Sequence, residues 1–275
     1  MQIVILGSGS PIPDPNRAGP ATVLRTSAGD LLFDCGRGVL MRGAAAGVGA
    51  PGLRGLFLTH LHSDHITDLN DIITMRWAMT FAPTPMPIMG PIGTESVVRK
   101  TESMLDLDIG YRLAHHDDLN WRPDDPVTEI TDGVVFEEAE VRITAAPTDH
   151  APVHPTVGYR VEDGDRTVVI AGDTVPCAGL DSLCQGADVL VHTVVRQDII
   201  EALGVPRLID VLDYHSSVQQ AAETAARNGV KTLVLTHLVP APQPTDEDEK
   251  PWIEQAAAHF DGTTVAARDL MTLDV

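Results

Sequence analysis

"LTHLHSDH", Leu58 to His65, places three histidines and an aspartate in its last six residues, directly after the apolar run Leu56-Phe57-Leu58. Polar side chains packed this densely beside a core element are costly unless something pairs with them. The apolar run reads as a strand. Beyond it, Ile66, Leu69, Ile72, Ile73 and Trp77 recur at the 3–4 residue spacing of a helix. In a strand-to-helix turn, His60 and His62 project the same way by the period of two. Asp64 and His65 stand at the helix start and point to a neighbouring position. One turn thus offers two ligands to each of two adjacent cations.

A closed pair of cation sites needs more donors, and three stand in the right setting. His150 ends "AAPTDH" after the strand-like Val141–Ala145, Asp173 lies in "VVIAGDT", and His237 lies in "LVLTHL". Each follows or ends an apolar strand. Ligands at strand ends share a rim, and so can residues far apart in the chain.

Further β-like runs are Gln2–Leu6, Asp30–Asp34, Gly55–Thr59, Thr167–Ala171, Asp188–His192 and Thr232–Thr236, rich in Val, Ile and Leu and bounded by Gly, Asp or Pro. Ser216 to Asn228 reads as a helix with a serine N-cap and Gly229 just past its end. Pro251 is expected to open another, to about Phe260. Pro11–Pro20 and Ala82–Pro91 read as ordered loops, and Pro240–Lys250 as a flexible acidic surface loop. Strands mixed with helices predict an α/β chain, its sheets covered by helices. Nothing marks a linker, so one domain over 1–275 is expected.

"THLHSDH", "TDH", "GDT" and "THL", in that order, resemble the metallo-β-lactamase superfamily of binuclear hydrolases. "LGSGSP", "LLFDCGRGV" and "YHSSVQQAAETAARNGVKTLVLTHL" are similar to its ribonuclease Z branch. The likeness runs from residue 2 to about 240 and is weak over 80–140. It implies a four-layer αββα sandwich. It also implies one metal on His60, His62 and His150, a second on Asp64, His65 and His237, and Asp173 between them. The metal usual in the superfamily is zinc, two ions, although the ligand types also suit manganese or iron. The implied nucleophile is a hydroxide shared by the two ions. His62 occupies the slot where diiron redox members carry glutamate, which argues for hydrolysis over electron transfer. The resemblance further implies that His215 is catalytic and not a ligand, and that Asp64 doubles as the base orienting the hydroxide. Asp34 is expected to support the ligands from behind. Relatives of this branch are typically homodimers.

Of 275 residues 43% are hydrophobic, and no apolar stretch approaches the ~20 residues of a membrane span. The N-terminus reads as a strand and not as a signal peptide. Three scattered cysteines, Cys35, Cys177 and Cys184, fit a reducing cytoplasm. The net charge of −20 opposes long-range attraction to nucleic acid or anionic membrane.

Four departures from the ribonuclease Z pattern bear on the substrate. The short interval between His150 and Asp173 leaves no room for a basic tRNA-gripping arm. The loop that family members bring to the RNA end, Pro-x-Lys-x-Arg-Asn, here reads Pro13-Asp14-Pro15-Asn16-Arg17-Ala18. His192-Thr193-Val194-Val195 replaces a "HEAT"-like element without its Glu, and the net charge opposes a polyanion. The expectation is therefore a phosphodiesterase for small anionic esters, with Arg17 as an anion contact beside His215. An arylsulfatase, a tRNA 3′-processing endoribonuclease and a lactonase or carboxylic esterase are the alternatives; a metal-binding sensor without turnover is the non-enzymatic one.

Overall fold

Alternating side chains in the first strand set the architecture. Ile3 and Ile5 join one apolar cluster, Val4 and Leu6 another, and all four are buried. A strand covered on both faces belongs inside a layered stack. The structure is a computed structural model describing all 275 residues. Its strands are β1 (Gln2–Gly7), β2 (Ala21–Thr26), β3 (Gly29–Phe33), β4 (Leu53–Phe57), β5 (Ile88–Pro91), β6 (Val127–Ile130) and β7 (Gly133–Glu138), then β8 (Val141–Pro147), β9 (Val157–Asp163), β10 (Arg166–Ile170), β11 (Val189–Val195), β12 (Thr232–Val239), β13 (Thr263–Ala266) and β14 (Thr272–Asp274). They form two seven-stranded sheets, ordered β14-β1-β2-β3-β4-β5-β6 and β13-β12-β11-β10-β9-β8-β7.

The helices are α1 (Val39–Ala46), α2 (Ser63–Ile66), α3 (Leu69–Ala78), α4 (Thr94–Met104), α5 (Asp106–His115), α6 (Ala178–Cys184), α7 (Gln197–Leu203), α8 (Pro206–Ile209), α9 (Val218–Arg227) and α10 (Asp246–Ala257). Between the sheets lies a core that includes Phe33, Phe57, Ile143, Tyr159, Val161 and Val191. Leu56, Ile72 and Ile88 pack α3 and its neighbours on the outer face of the first sheet, and Leu180, Ala222 and Trp252 pack α6, α9 and α10 on that of the second. The stack is the expected four-layer αββα sandwich.

Parallel pairing in each sheet, β3-β4-β5-β6 and β10-β11-β12-β13, points several carboxyl ends to one rim. Tyr159 ties the sheets together there, its hydroxyl donating to Leu58 O at 2.6 Å. Two expectations need correcting. Residues 246–250 are helix and not flexible loop, so Pro251 lies inside α10. Thr245 caps that helix and four consecutive acids, Asp246 to Glu249, fill its first turn, where the positive end of the helix dipole favours them. Seven of the strands, β2, β5, β6, β7, β9, β13 and β14, and both helices α4 and α5 had no counterpart in the sequence reading.

Candidate metal centre

The turn after β4 carries His60, His62, Asp64 and His65, with α2 starting at Ser63. His150 follows β8, Asp173 follows β10, and His237 lies near the end of β12. All of them meet at the rim. Ligand-type atoms of His60, His62, His150 and Asp173 lie within 4.8 Å of one another, and so do those of Asp64, His65 and His237. Asp173 is the focus. From its Oδ2, the Nε2 atoms of His215, His65, His237, His60 and His150 stand at 3.3, 3.4, 3.5, 3.7 and 3.8 Å. Asp64 Oδ2 lies 3.2 Å from His237 Nε2.

The backbone is bent to make this meeting. Asp34 and His237 hold φ of 57° and 51°, a left-handed conformation that costs a non-glycine residue energy. Gly172, at φ 66°, precedes Asp173; a Cβ there would stand 2.7 Å from Thr59 Cβ. Only glycine lets the end of β10 lie this close to the histidine turn.

Hydrogen bonds from behind fix which nitrogen of each ring faces inward. Asp34 accepts from Thr59 N at 2.8 Å, from the Thr59 hydroxyl at 2.9 Å and from His65 Nδ1 at 2.8 Å. A carboxylate only accepts, so His65 Nδ1 carries a proton. With the Thr59 proton given to Asp34, Thr59 Oγ1 accepts from His60 Nδ1 at 3.0 Å. His150 Nδ1 donates to Tyr214 O at 2.7 Å, and His215 Nδ1 to Val211 O at 3.0 Å. One carboxylate thus orients a ring on each side of Asp173. Thr59 and Tyr214 were missed in the sequence; a threonine just before the histidine cluster was the available signal for the first.

The fit to cations can be tested on these atoms. His60 Nε2 and His150 Nε2, whose protons sit on Nδ1, approach His62 Nδ1 at 3.0 and 3.3 Å. Nitrogens facing one another with lone pairs need a cation or shared proton between them. His65 Nε2, Asp173 Oδ1 and His237 Nδ1 are buried without a hydrogen-bond partner. Imidazoles and carboxylates in this mix suit zinc and its neighbours. Burial pushes His60 well below the ordinary histidine value and His150 down to about 4, against the pull of Asp173, so both rings are neutral as ligation requires. Asp173 is fully buried, which favours its neutral form, but His237 and His65 outweigh this and hold it well below the carboxylate range. Burial likewise opposes charge on His215, and its hydrogen bond to Asp173 more than restores it.

Arg17, expected as an anion contact, and three histidines outside the expected set fall elsewhere. Arg17 is fully buried and bonds Ser8, Pro242 O, Ala267 O and Glu249, so it contacts no anion at the rim. His192 is enclosed in β11, its Nδ1 donating to Thr193 O, and burial holds it down to about 4. His115 and His116 are exposed at the end of α5. A cavity of about 220 Å3 opens onto His62, Asp173, His215 and His237.

Fold and rim together define a metallo-β-lactamase-fold enzyme, a metal-dependent hydrolase acting on ester bonds. A family profile described as "Beta-lactamase superfamily domain" matches residues 30–238. A protein of Mycolicibacterium gilvum curated as ribonuclease Z is 54% identical over 277 residues, spanning all of this chain and 96% of the relative. Among solved structures, the metallo-β-lactamase fold protein YhfI of Bacillus subtilis superposes with TM-score 0.75 at 20% identity, covering 99% of this chain and 98% of the other. Human tRNase Z, short form, does so with TM-score 0.71 at 23% identity, covering 100% and 99%. The chain belongs to the β-lactamase superfamily, in its ribonuclease Z-like branch. No helix is long and apolar enough to cross a membrane.

Proposed function

We propose that this chain is an RNA endonuclease that hydrolyses a phosphodiester at the 3′ side of tRNA precursors. The observation carrying this is the Asp173-centred cluster, in a chain half identical end to end to curated ribonucleases Z. The expectation of a small ester as the substrate gives way here. It leaned on the missing arm, but an alignment of 277 residues on a 275-residue chain leaves no room for a long arm at that place in the relative either. The arylsulfatase alternative has no support among these relatives.

His60, His62 and His150 would hold one divalent ion, and Asp64, His65 and His237 the other, with Asp173 between them. Such a pair supplies positive charge against the phosphate and lowers the pKa of bound water. Zinc suits the donors best. Asp64 would orient the attacking water: burial raises its pKa, but the hydrogen bond from His237 and the nearby histidines outweigh this and keep it ionised. His215, whose pKa the hydrogen bond to Asp173 raises, lines the cavity and would give its Nε2 proton to the leaving oxygen as the phosphorus–oxygen bond breaks. An RNA substrate and three unpaired thiols fit the cytoplasm.

The test is incubation with a precursor tRNA bearing a 3′ trailer, with and without chelator, mapping the product end. One chelator-sensitive cut at the trailer junction is expected. Hydrolysis of bis-p-nitrophenyl phosphate with the precursor left intact would return the small-ester reading.

A further inference from the structure

The 220 Å3 cavity is lined both by His62, Asp173, His215 and His237 of the cluster and by apolar side chains. Ile200, Leu208 and Val211 come from the segment between β11 and α9, and Ile12 and Val239 add to the apolar lining. No Lys or Arg lines it. A second phosphate pressed against this wall would lose hydration with no cation to replace it. A flat, weakly polar group would gain by the hydrophobic effect. The volume is below the about 300–1,000 Å3 of pockets for drug-sized ligands, so it accommodates one ring system beside the phosphate and not a run of nucleotides. Tyr214 adds an aromatic ring, its centroid 4.7 Å from that of His215 and 5.2 Å from that of His150.

Resting on the reading as an RNA endonuclease, we infer that this cavity holds the unpaired base of the nucleotide adjoining the scissile phosphate, and that Leu208, Val211 and Tyr214 read it. Single-stranded RNA is recognised mainly through splayed bases stacked on aromatic and apolar side chains. The wall is also tied to the chemistry. Val211 O holds His215 Nδ1 and Tyr214 O holds His150 Nδ1. The residues that would touch the base therefore fix two of the five imidazoles facing Asp173. Helix α8, which carries Leu208, has no buried residue, so its own packing does little to fix it. A base seated against Leu208 and Val211 steadies the segment, and its binding shows in kcat as well as KM.

The experiment uses the metal-loaded protein and synthetic precursor RNAs carrying either a base or an abasic nucleotide on each side of the cut. An abasic nucleotide at one of the two positions is expected to lower kcat/KM about 5- to 150-fold, partly through kcat. In Leu208→Ala and Tyr214→Ala that ratio shrinks toward one. Equal kcat/KM for base-bearing and abasic RNA at both positions overturns the inference and leaves the endonuclease reading standing. A Leu208→Ala protein that discriminates as sharply as the parent overturns the assignment of the wall. Failure to cut any RNA sinks the endonuclease reading and takes this inference with it.

Discussion

Asp34→Asn isolates the support behind the metal centre from the centre itself. Asp34 is 4% exposed. Its Oδ1 receives Thr59 N, and its Oδ2 receives both the Thr59 hydroxyl and His65 Nδ1. In the variant, the amide oxygen keeps Thr59 N and the amide nitrogen takes the place of Oδ2. Two N–H groups then face each other across 2.8 Å. Either His65 Nδ1–H is left buried and unpaired, costing about 1–3 kcal/mol, or the ring moves its proton to Nε2, the atom aimed at Asp173. Both routes weaken ligation. Groups behind metal ligands typically matter about 10- to 100-fold in affinity, about 1.4–2.8 kcal/mol at 1.4 per decade, and the two estimates agree. Metal affinity is read by equilibrium competition against a chromophoric chelator, and folding by urea denaturation. The reasoning fails if the variant binds two ions with parental affinity.

Four other outcomes are expected. Asp173→Ala, which removes the carboxylate faced by five imidazoles, loses metal from both positions; elemental analysis returning two ions per chain would contradict a shared ligand. His215→Ala keeps both ions yet loses about 100- to 10,000-fold in kcat, and depleted metal in that protein would make His215 a ligand instead. Arg17→Ala costs about 3 kcal/mol in urea unfolding, the low end for a broken buried pair because Arg268 still faces Glu249 at 2.8 Å; an unchanged midpoint refutes it. Only Arg37, Lys100 and Arg207 are exposed cations without a carboxylate partner, so log affinity for RNA should fall with log salt at a slope shallower than about −3. Filter binding that returns −5 or steeper would reveal a phosphate-gripping surface.

The rim was legible because its signal is local. Apolar runs ending in His or Asp mark strand ends that must converge, and the turn from Leu58 to His65 compresses four polar groups into six positions. The long helix α9 was legible for the same reason: Ser217 and Gln220 form a capping box readable from residue types alone. Residues 80–140 were not. Strands β5 and β6 have four residues each, and α4 and α5 are amphipathic helices joined end to end at Leu105, so neither period runs long enough to stand out. The helical pattern read from Ile66 to Trp77 is broken at Asp68, whose side chain turns away to bond Gly38 N and Leu40 N. The apolar wall of the cavity escaped because Leu208 and Val211 gain meaning only from what they face.

Charge misled for a different reason. A net charge of −20 counts ions and says nothing of their pairing. Most cations on this surface are already matched, Arg227 to Asp181 and Lys231 to Asp188 among them, so they offer a polyanion no attraction. Arg17, the one basic residue of the family loop left in this sequence, is spent inside on Glu249. On the proposed reading, what remains to meet an RNA is the rim, where one buried aspartate faces five imidazoles, and the apolar side chains that share its cavity. Recognition built that way depends on shape and stacking near the cut, and less on long-range attraction along the backbone. On the proposed endonuclease reading, such an acidic surface would disfavour duplexes and random polyanions, while a single unpaired nucleotide could still enter the cavity.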